Sequence, residues 1–280
     1  MQTVNDATSL AAAIEAARST GKKIAFVPTM GALHAGHLSL ISAARKHADF
    51  VVVSIFVNPL QFGVGEDFEK YPRTLDADIE SLESVGANLL FAPTVDVMYP
   101  DGQPAPVTKF SGVIGTRYEG AARPGHFDGM LTVVARLFDL VKPDFAIFGA
   151  KDAQQLFLIR RMAKTDYPQL QIVSAPIVRE PSGLALSSRN RYLDAASHQV
   201  AEQLSAAIRA GHANAQKPSI ALESARTVMS QVPEAKLDYI ALVDADTFET
   251  IPDSFKGRAL MLIAAVVGTT RLIDNIEITF

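Results

Sequence analysis

The sequence contains no cysteine among its 280 residues. This absence excludes disulfide bonds, thiolate metal sites and a cysteine nucleophile. It fits a reducing cytoplasm, where we expect the protein to act. The N-terminus is rich in alanine, but Asp6 and Glu15 interrupt it and no basic segment precedes it, so we do not expect a signal peptide.

Basic runs and long apolar runs are missing as well. The formal net charge is -4, and no run of Lys and Arg indicates a nucleic-acid partner. The longest apolar stretches, such as 259–267, are too short to span a bilayer, so no membrane partner is expected. Hydrophobic residues make up 48% of the chain and charged residues 20%, a balance typical of a globular protein.

Apolar segments of two kinds alternate over the first part of the chain. Continuous apolar runs predict strands at 23–27, 50–57, 88–91, 145–148 and 172–178, and helical spacing predicts helices at 10–17, 35–48, 75–85, 130–141 and 152–163. Strands that are apolar on both faces and alternate with helices indicate a parallel sheet covered on both sides. We therefore predict an α/β fold, with a doubly wound, Rossmann-like domain over residues 1–175.

The pattern changes after this point. A polar stretch at 179–190 leads to two predicted helices, 195–210 and 220–231, and three strand-like runs follow at 237–243, 260–267 and 272–278. We predict a smaller α+β domain over residues 176–280. In open α/β sheets, ligands bind beyond the carboxyl ends of the strands, so chemistry is expected just after residues 27, 57 and 148.

The turn after the 23–27 strand reads Pro-Thr-Met-Gly-Ala-Leu-His-Ala-Gly-His and leads into a helix. Backbone N–H groups at a helix N-terminus favour anions, and Gly31 and Gly36 would let a phosphate approach closely. His34 and His37 fall on one face of the helix start, where imidazoles can donate to phosphate oxygens. The alternatives are two helix-start histidines without a ligand, or a metal pair, for which no neighbouring Cys, Asp or Glu completes the set.

Two later segments carry groups suited to phosphates. Lys151 and Asp152 follow the 145–148 strand, where Lys151 offers a point charge and Asp152 can cap the next helix. Ser187, Ser188 and Arg189 combine hydroxyl donors with a planar guanidinium. A solvated loop between domains explains this second segment equally well.

Neutral polar side chains occur at the same predicted edge of the sheet. Asn58 and Gln61 follow the 50–57 strand and suit the hydroxyl and carboxylate groups of a substrate, although Asn-Pro turn chemistry also explains Asn58. Gln154 and Gln155 follow Asp152. One of these two amides is a candidate for reading a polar substrate, and a surface position is the alternative for either.

Taken together, these segments resemble the pantoate–β-alanine ligase family, also called the pantothenate synthetases. The matching stretches run in order from residue 28 to residue 275: PTMGALHAGH, VVVSIFVNPLQF, YPRTL, RPGHF, FGAKDAQQL, GLALSSRNRYL and RLIDN. HxGH alone marks a broad nucleotidyltransferase-like superfamily, whereas FVNPxQF together with LSSRNRYL is more specific. The resemblance implies ATP-dependent ligation of (R)-pantoate and β-alanine to pantothenate through a pantoyl adenylate, with release of AMP and pyrophosphate. It also implies ATP as a substrate, Mg²⁺ with it, a cytoplasmic homodimer, and a second domain that covers the active site.

The resemblance assigns roles to individual positions. The implied ATP-binding residues are Met30, Gly31, Ala32, Leu33, His34, Ala35, Gly36, His37, Gly149, Ala150, Lys151, Asp152, Val178, Leu186, Ser187, Ser188 and Arg189. The implied catalytic residues are His34, His37, Lys151, Ser187, Ser188 and Arg189. The implied substrate-binding residues are Asn58, Gln61 and Gln155. In the family the second histidine is often written as a proton donor. We interpret both histidines as stabilisers of phosphate charge, because attack by a carboxylate needs no base.

Two positions depart from the family pattern. Ala150 stands where a glutamate is usual, and Ala77 occupies a commonly acidic position, which leaves Asp78 as the candidate metal ligand or as a surface helix residue. Two other functions stay open: a nucleotidyltransferase that leaves the nucleotide on its product, and a nucleotide-binding regulator without chemistry. The neutral FVNPLQF segment favours acyl transfer, because a phosphate-bearing acceptor would call for cations.

Overall fold

The computed structural model describes residues 1–63, 68–102 and 105–280. These residues divide into two compact units. The first comprises Met1–Ala150 and Gln154–Pro176, and the second comprises Lys151–Ala153 and Ile177–Phe280. The short segment Lys151–Ala153 therefore groups with the C-terminal part of the chain, which sequence patterns did not indicate.

A six-stranded parallel sheet forms the centre of the first unit. Its strands are β1 Gln2–Val4, β2 Ile24–Thr29, β3 Phe50–Ile55, β4 Leu89–Phe91, β5 Phe145–Gly149 and β6 Gln171–Ala175. Its helices are α1 Ala7–Ser19, α2 Ala35–Ala44, α3 Leu75–Ser84, α4 Val95–Met98, α5 Glu119–Ala122, α6 His126–Val141 and α7 Ala153–Asp166. The strand order β1-β4-β3-β2-β5-β6 confirms the predicted doubly wound fold. The order reverses between β2 and β5, and a crevice is expected beyond the carboxyl ends of these two strands.

Alternate residues of the central strands pack on opposite faces of the sheet. Ala25 and Val27 of β2 belong to a core cluster that includes Leu40 and Ile41 of α2. Phe26, between them, lies edge-to-face with Phe138 of α6, with ring centroids 6.5 Å apart. Helices therefore cover both faces, as the continuous apolar strands predicted.

The differences from the predicted bounds have local causes. β1 was not predicted, because three residues with one buried side chain, Val4, give no periodic pattern. α6 begins at His126, earlier than predicted, directly after Gly125 in the left-handed conformation at φ +81°. β6 ends at Ala175 because Pro176 has no N–H group to donate to a neighbouring strand.

The second unit contains the antiparallel sheet β7-β8-β9. Its elements are α8 Ala195–Ala213, α9 Pro218–Ser230, β7 Ala235–Asp244, β8 Arg258–Val267 and β9 Thr270–Thr279. Small and apolar residues of α8 and α9, such as Ala207 and Ala225, form one core with Met261 and Ile263 of β8. This arrangement confirms the predicted α+β character. Among the helices that the structure describes, none has the length and apolarity needed to traverse a bilayer.

Candidate active site

The β2–α2 loop, residues 30–34, follows the strand that lies at the reversal of strand order. Gly31 and Ala32 both have left-handed backbones, at φ +82° and +50°. Asp78 of α3 holds this conformation: its two carboxylate oxygens accept the N–H groups of Ala32 at 3.0 Å and Leu33 at 2.8 Å. Thr29 Oγ1 accepts the N–H of Gly31 at 3.2 Å. The loop is therefore shaped by acceptors that belong to the protein.

These bonds change one expectation about the loop. The N–H groups of Gly31, Ala32, Leu33 and Gly36 all donate within the protein. The expectation that backbone N–H groups of this turn are free is wrong for these four groups, because a carboxylate, a hydroxyl and an imidazole nitrogen accept their hydrogen bonds; the contact of these residues with ATP stays a prediction. This occupancy of four backbone donors favours side chains as the donors to an anion at this loop.

His34 and His37 lie side by side, with ring centroids 4.1 Å apart. His34 is the N-cap of α2, and its Nδ1 accepts the N–H of Gly36 at 3.1 Å. Because Nδ1 is an acceptor, the proton of the neutral ring resides on Nε2. Both side chains are half-buried. The predicted histidine pair is thus present on one face of the helix start, and its contact with phosphate stays a prediction.

The surroundings of Asp78 bear on the predicted metal. Its side chain is buried, and Oδ2 accepts the hydroxyl of Thr74 at 3.2 Å in addition to the loop N–H groups. Among the described residues, no three His, Asp or Glu side chains are grouped to hold a metal ion. The donor set does not fit a magnesium site built by the protein. The assignment of Asp78 to a metal stays a prediction, while its bonds show a residue that shapes the loop.

Asn58 and Gln61 occupy a 3₁₀ turn, Pro59–Gln61, directly after β3. Both side chains are buried, and Gln61 Nε2 lies 3.0 Å from Met30 Sδ of the β2–α2 loop. Asn58 Nδ2 donates to Gln61 Oε1 at 3.2 Å and to the carbonyl oxygen of Gly129 in α6 at 3.1 Å. A Cβ at Gly129 would collide with the carbonyl oxygen of Leu60, so only glycine lets α6 approach the turn this closely. The predicted Asn58, Gln61 and Met30 are therefore brought together.

The RPGHF segment supports the same turn from another side. His126 Nδ1 lies 2.8 Å from the backbone oxygen of Gln61, and Arg123 donates to that oxygen at 3.2 Å. A carbonyl oxygen only accepts, so Nδ1 of His126 carries the proton. Arg123 also lies 3.1 Å from Nε2 of His126. These two residues therefore clamp the backbone of Gln61, a role that no local sequence signal indicated.

The two adjacent glutamines of α7 differ in their surroundings. The amide of Gln154 is buried. Its nitrogen donates to the carbonyl oxygens of Ile114 at 2.7 Å and Arg117 at 2.9 Å, and its oxygen accepts the backbone N–H of Glu119 at 3.1 Å. Gln154 therefore holds the segment before α6. Gln155 is half-buried, and its predicted contact with substrate stays a prediction.

In the second unit, two residues of the RLIDN stretch hold predicted ATP segments. Asn275 Nδ2 donates to the backbone oxygen of Lys151 at 2.7 Å. Asp274, which is buried, forms a bidentate ion pair with Arg179 at 2.6 and 2.9 Å. Arg179 also donates to the carbonyl oxygen of Gly183 at 3.1 Å, which fixes the turn that follows it. No role was predicted for Asp274 or Asn275 beyond their place in the matching stretch.

The remaining predicted ATP residues of this unit lie in one ordered segment. The N–H of Leu186 donates to the carbonyl oxygen of Val178 at 3.0 Å. Ser187 caps the 3₁₀ turn Ser188–Tyr192, accepting the N–H of Arg189 at 3.3 Å. All five side chains of Val178 and 186–189 are half-buried. Their contacts with a nucleotide stay predictions, as do those of Gly149, Ala150, Lys151 and Asp152.

Tyr99 is a further residue that sequence patterns did not indicate. It follows α4, and its hydroxyl donates to Asn58 Oδ1 at 2.7 Å. Burial raises the pKa of Tyr99, so its hydroxyl stays protonated and remains a donor. Its separation of 41 residues from Asn58 explains why sequence proximity gave no sign of the contact.

Comparisons with known proteins show the family to which this chain is similar. A family model described as pantoate-beta-alanine ligase matches residues 2–277. The pantothenate synthetase of Nocardia farcinica is 51% identical, covering 98% of this chain and 85% of that protein. The structure of the Thermus thermophilus enzyme is similar with a TM-score of 0.93 and 44% identity, covering 100% of both chains. The Francisella tularensis pantoate-beta-alanine ligase, complexed with beta-gamma ATP and beta-alanine, has a TM-score of 0.78 and 37% identity, covering 99% of this chain and 97% of that chain.

A family model that spans nearly the whole chain, together with relatives of this identity and coverage, confirms the resemblance carried by the HxGH, FVNPxQF and LSSRNRYL segments. The chain belongs to the pantoate–β-alanine ligase family.

Proposed function

We propose that this chain joins (R)-pantoate and β-alanine to give pantothenate, using ATP and releasing AMP and pyrophosphate. The observation that carries the proposal is the buried amide of Gln61, 3.0 Å from Met30 in the loop that also bears His34 and leads to His37. A neutral amide beside a histidine-bearing loop suits an uncharged or singly charged acyl substrate next to a nucleotide. The Francisella tularensis relative, complexed with beta-gamma ATP and beta-alanine, supports the same two ligands here.

The first step is attack by the pantoate carboxylate on the α-phosphorus of ATP. A new bond forms between the carboxylate oxygen and phosphorus, and the bond from phosphorus to the bridging oxygen breaks, releasing pyrophosphate. The nucleophile is already an anion, so the step needs no general base. We assign Nε2–H of His34, the imidazole of His37, and the side chains of Lys151, Ser187, Ser188 and Arg189 to the charge that develops on the phosphates.

In the second step the neutral amine of β-alanine attacks the acyl carbon of pantoyl adenylate. The new bond is the amide bond, the acyl–oxygen bond breaks, and AMP leaves with the electron pair. The amine loses a proton to solvent or to the leaving phosphate. We assign the amide groups of Gln61 and Gln155 to pantoate, and Gln61 also to the neighbourhood of β-alanine.

Mg²⁺ is proposed to arrive as the complex of ATP. Magnesium commonly binds substrate phosphates and keeps several of its waters, and the residues around Asp78 do not fit a separate protein site.

We also propose a cytoplasmic homodimer whose second domain, residues 176–280, covers the active site.

The test is product analysis by mass spectrometry with ATP, Mg²⁺, pantoate and β-alanine, each omitted in turn. Pantothenate and AMP that appear only in the complete mixture support the ligase. A product that retains the nucleotide would instead identify a nucleotidyltransferase. Tight ATP binding without turnover in the complete mixture would identify a nucleotide-binding regulator.

A further inference from the structure

Three buried side chains form a chain of hydrogen bonds in the first unit. Tyr99 donates its hydroxyl to Asn58 Oδ1 at 2.7 Å, and Asn58 Nδ2 donates to Gln61 Oε1 at 3.2 Å. The exposed fractions are 8% for Tyr99, 1% for Asn58 and 8% for Gln61. The chain thus leads from the end of α4 to the amide that lies beside the β2–α2 loop.

Backbone groups fix the direction of every bond in this chain. The N–H of Leu60, which can only donate, lies 3.2 Å from Asn58 Oδ1. The carbonyl oxygen of Gly129, which can only accept, lies 3.1 Å from Asn58 Nδ2. The amide of Asn58 therefore has one orientation, and its nitrogen must donate to the oxygen of Gln61. The NH₂ group of Gln61 is then the part that faces Met30.

Asn58 has no capacity left for a substrate in this arrangement. Its oxygen accepts two hydrogen bonds and its nitrogen donates two, which is the usual full complement of a side-chain amide. Asn58 can therefore affect a bound substrate only through Gln61. The Tyr99 hydroxyl donates one of the two hydrogen bonds that Asn58 Oδ1 accepts.

We propose that Tyr99 is a positioning residue which, through Asn58, holds Gln61 with its NH₂ group towards the bound acid. This inference rests on the proposed function and names the substrate group involved: an acceptor oxygen, carboxylate or hydroxyl, of the acid that is to be activated. A glutamine that was free to rotate would present its oxygen about as readily as its nitrogen, and an amide oxygen repels a carboxylate.

The position of Tyr99 is itself secured from two sides. Arg136 of α6 donates to the carbonyl oxygen of Met98 at 3.1 Å, which anchors the end of α4. The ring of Tyr99 packs edge-to-face on Phe56, with centroids 6.2 Å apart. A phenylalanine at position 99 keeps this ring contact, so Tyr99→Phe removes the hydroxyl with little change in packing.

The test compares Tyr99→Phe with Tyr167→Phe. Tyr167 is the matched control, because its hydroxyl also makes hydrogen bonds within this unit, to Ala135 and Asp139. We expect Tyr99→Phe to raise the pantoate KM about tenfold, which corresponds to about 1.4 kcal/mol of binding free energy lost when the Gln61 amide is no longer held in this orientation. The KM for ATP and the thermal midpoint should match those of the control. Equal pantoate KM values in the two variants would overturn the inference.

A second variant tests the orientation of the amide directly. Gln61→Glu places an oxygen where the NH₂ group stands, while its other oxygen can still accept from Asn58. At pH 8 we expect this variant to bind pantoate more weakly than Gln61→Ala, because two carboxylates face each other. Pantoate binding by Gln61→Glu as tight as in the unaltered protein would refute the orientation.

The activity of the unaltered protein distinguishes failure of the proposed function from failure of the inference about Tyr99. If it makes no pantothenate from the complete mixture, the proposed function fails, and the inference fails with it. If it makes pantothenate while Tyr99→Phe behaves like Tyr167→Phe, the inference alone fails.

Discussion

Replacing Asp78 by asparagine tests how the β2–α2 loop keeps its shape. The carboxylate accepts the N–H groups of Ala32 and Leu33, one on each oxygen. An asparagine amide can accept only one of them, and its NH₂ group would meet the other N–H as donor against donor. Losing one charge-assisted hydrogen bond costs about 1.5–3 kcal/mol, and leaving a buried donor unpaired costs a similar amount. Because these two figures describe the same lost contact, we expect a penalty of about 1.5–3 kcal/mol if the loop stays in place.

The loop has a way to escape part of this penalty. Ala32 has a left-handed backbone at φ +50°, which costs a residue with a Cβ about 1–2 kcal/mol. Once the carboxylate is gone, release of this strain favours a different loop conformation. Such a change would move His34, which caps the helix that begins at Ala35. A displacement of about 1 Å can reduce a rate about 10²-fold, so adenylate formation should fall even where stability is largely recovered.

The assay pairs urea unfolding with single-turnover release of pyrophosphate. Asp76→Asn is the matched control, because Asp76 lies in the same first turn of α3 but is exposed. Both changes remove one negative charge near the helix N-terminus, so their shared electrostatic effect cancels in the comparison. Equal unfolding free energies together with equal adenylation rates in the two variants would refute the role of Asp78 as the residue that shapes the loop.

Three other substitutions each test a single contact. Gly129→Ala should displace the turn that carries Gln61, because the new methyl group collides with the carbonyl oxygen of Leu60. The pantoate KM should rise about tenfold or more while ATP binding is retained. An unchanged pantoate KM would contradict this expectation. His126→Asn should retain more activity than His126→Gln, because the asparagine amide reproduces the donor at Nδ1 that holds Gln61; steady-state kinetics of the pair decides it. The backbone N–H of Ser197 donates to Asp194 and lowers the pKa of its carboxyl group. The carboxylate therefore stabilises the fold above its ordinary pKa of 3.8, and this contribution is lost as the pH falls through the lowered pKa. In Asp194→Asn, the urea midpoint should depend less on pH between about pH 5 and about pH 2.5 than in the unaltered protein.

Sequence patterns predicted the fold because its strands are short, continuous and apolar. The runs around β2 and β3 and the helical spacing of α2 each carry a local signal, and their alternation determines the doubly wound sheet. β1 has no such signal, since its pairing with β4 rather than its composition makes it a strand. The grouping of Lys151–Ala153 with the C-terminal unit likewise depends on contacts between distant parts of the chain.

Some residues of the candidate site could also be predicted from local sequence, and others could not. Residues at strand-to-helix junctions, such as His34, Gln61 and Lys151, were identified because unusual side chains follow apolar strands. Asp78 was predicted to be either a metal ligand or a surface helix residue, because nothing local shows that it is buried or that its oxygens accept loop N–H groups 45 and 46 residues away. Tyr99 gave no signal at all. Residues that support site residues do so through contacts between distant parts of the chain, and a single sequence does not reveal such contacts.

The bonds within the β2–α2 loop also favour one of two ways of binding phosphate. In many nucleotide sites, backbone N–H groups of a glycine-rich turn surround the phosphates. Here the N–H groups of Gly31, Ala32 and Leu33 are held by Thr29 and Asp78. Freeing them for a nucleotide would expose the buried Asp78 carboxylate to phosphate oxygens, which repel it. We therefore predict that the donors to phosphate at this loop are mainly side chains, with the imidazoles of His34 and His37 first among them.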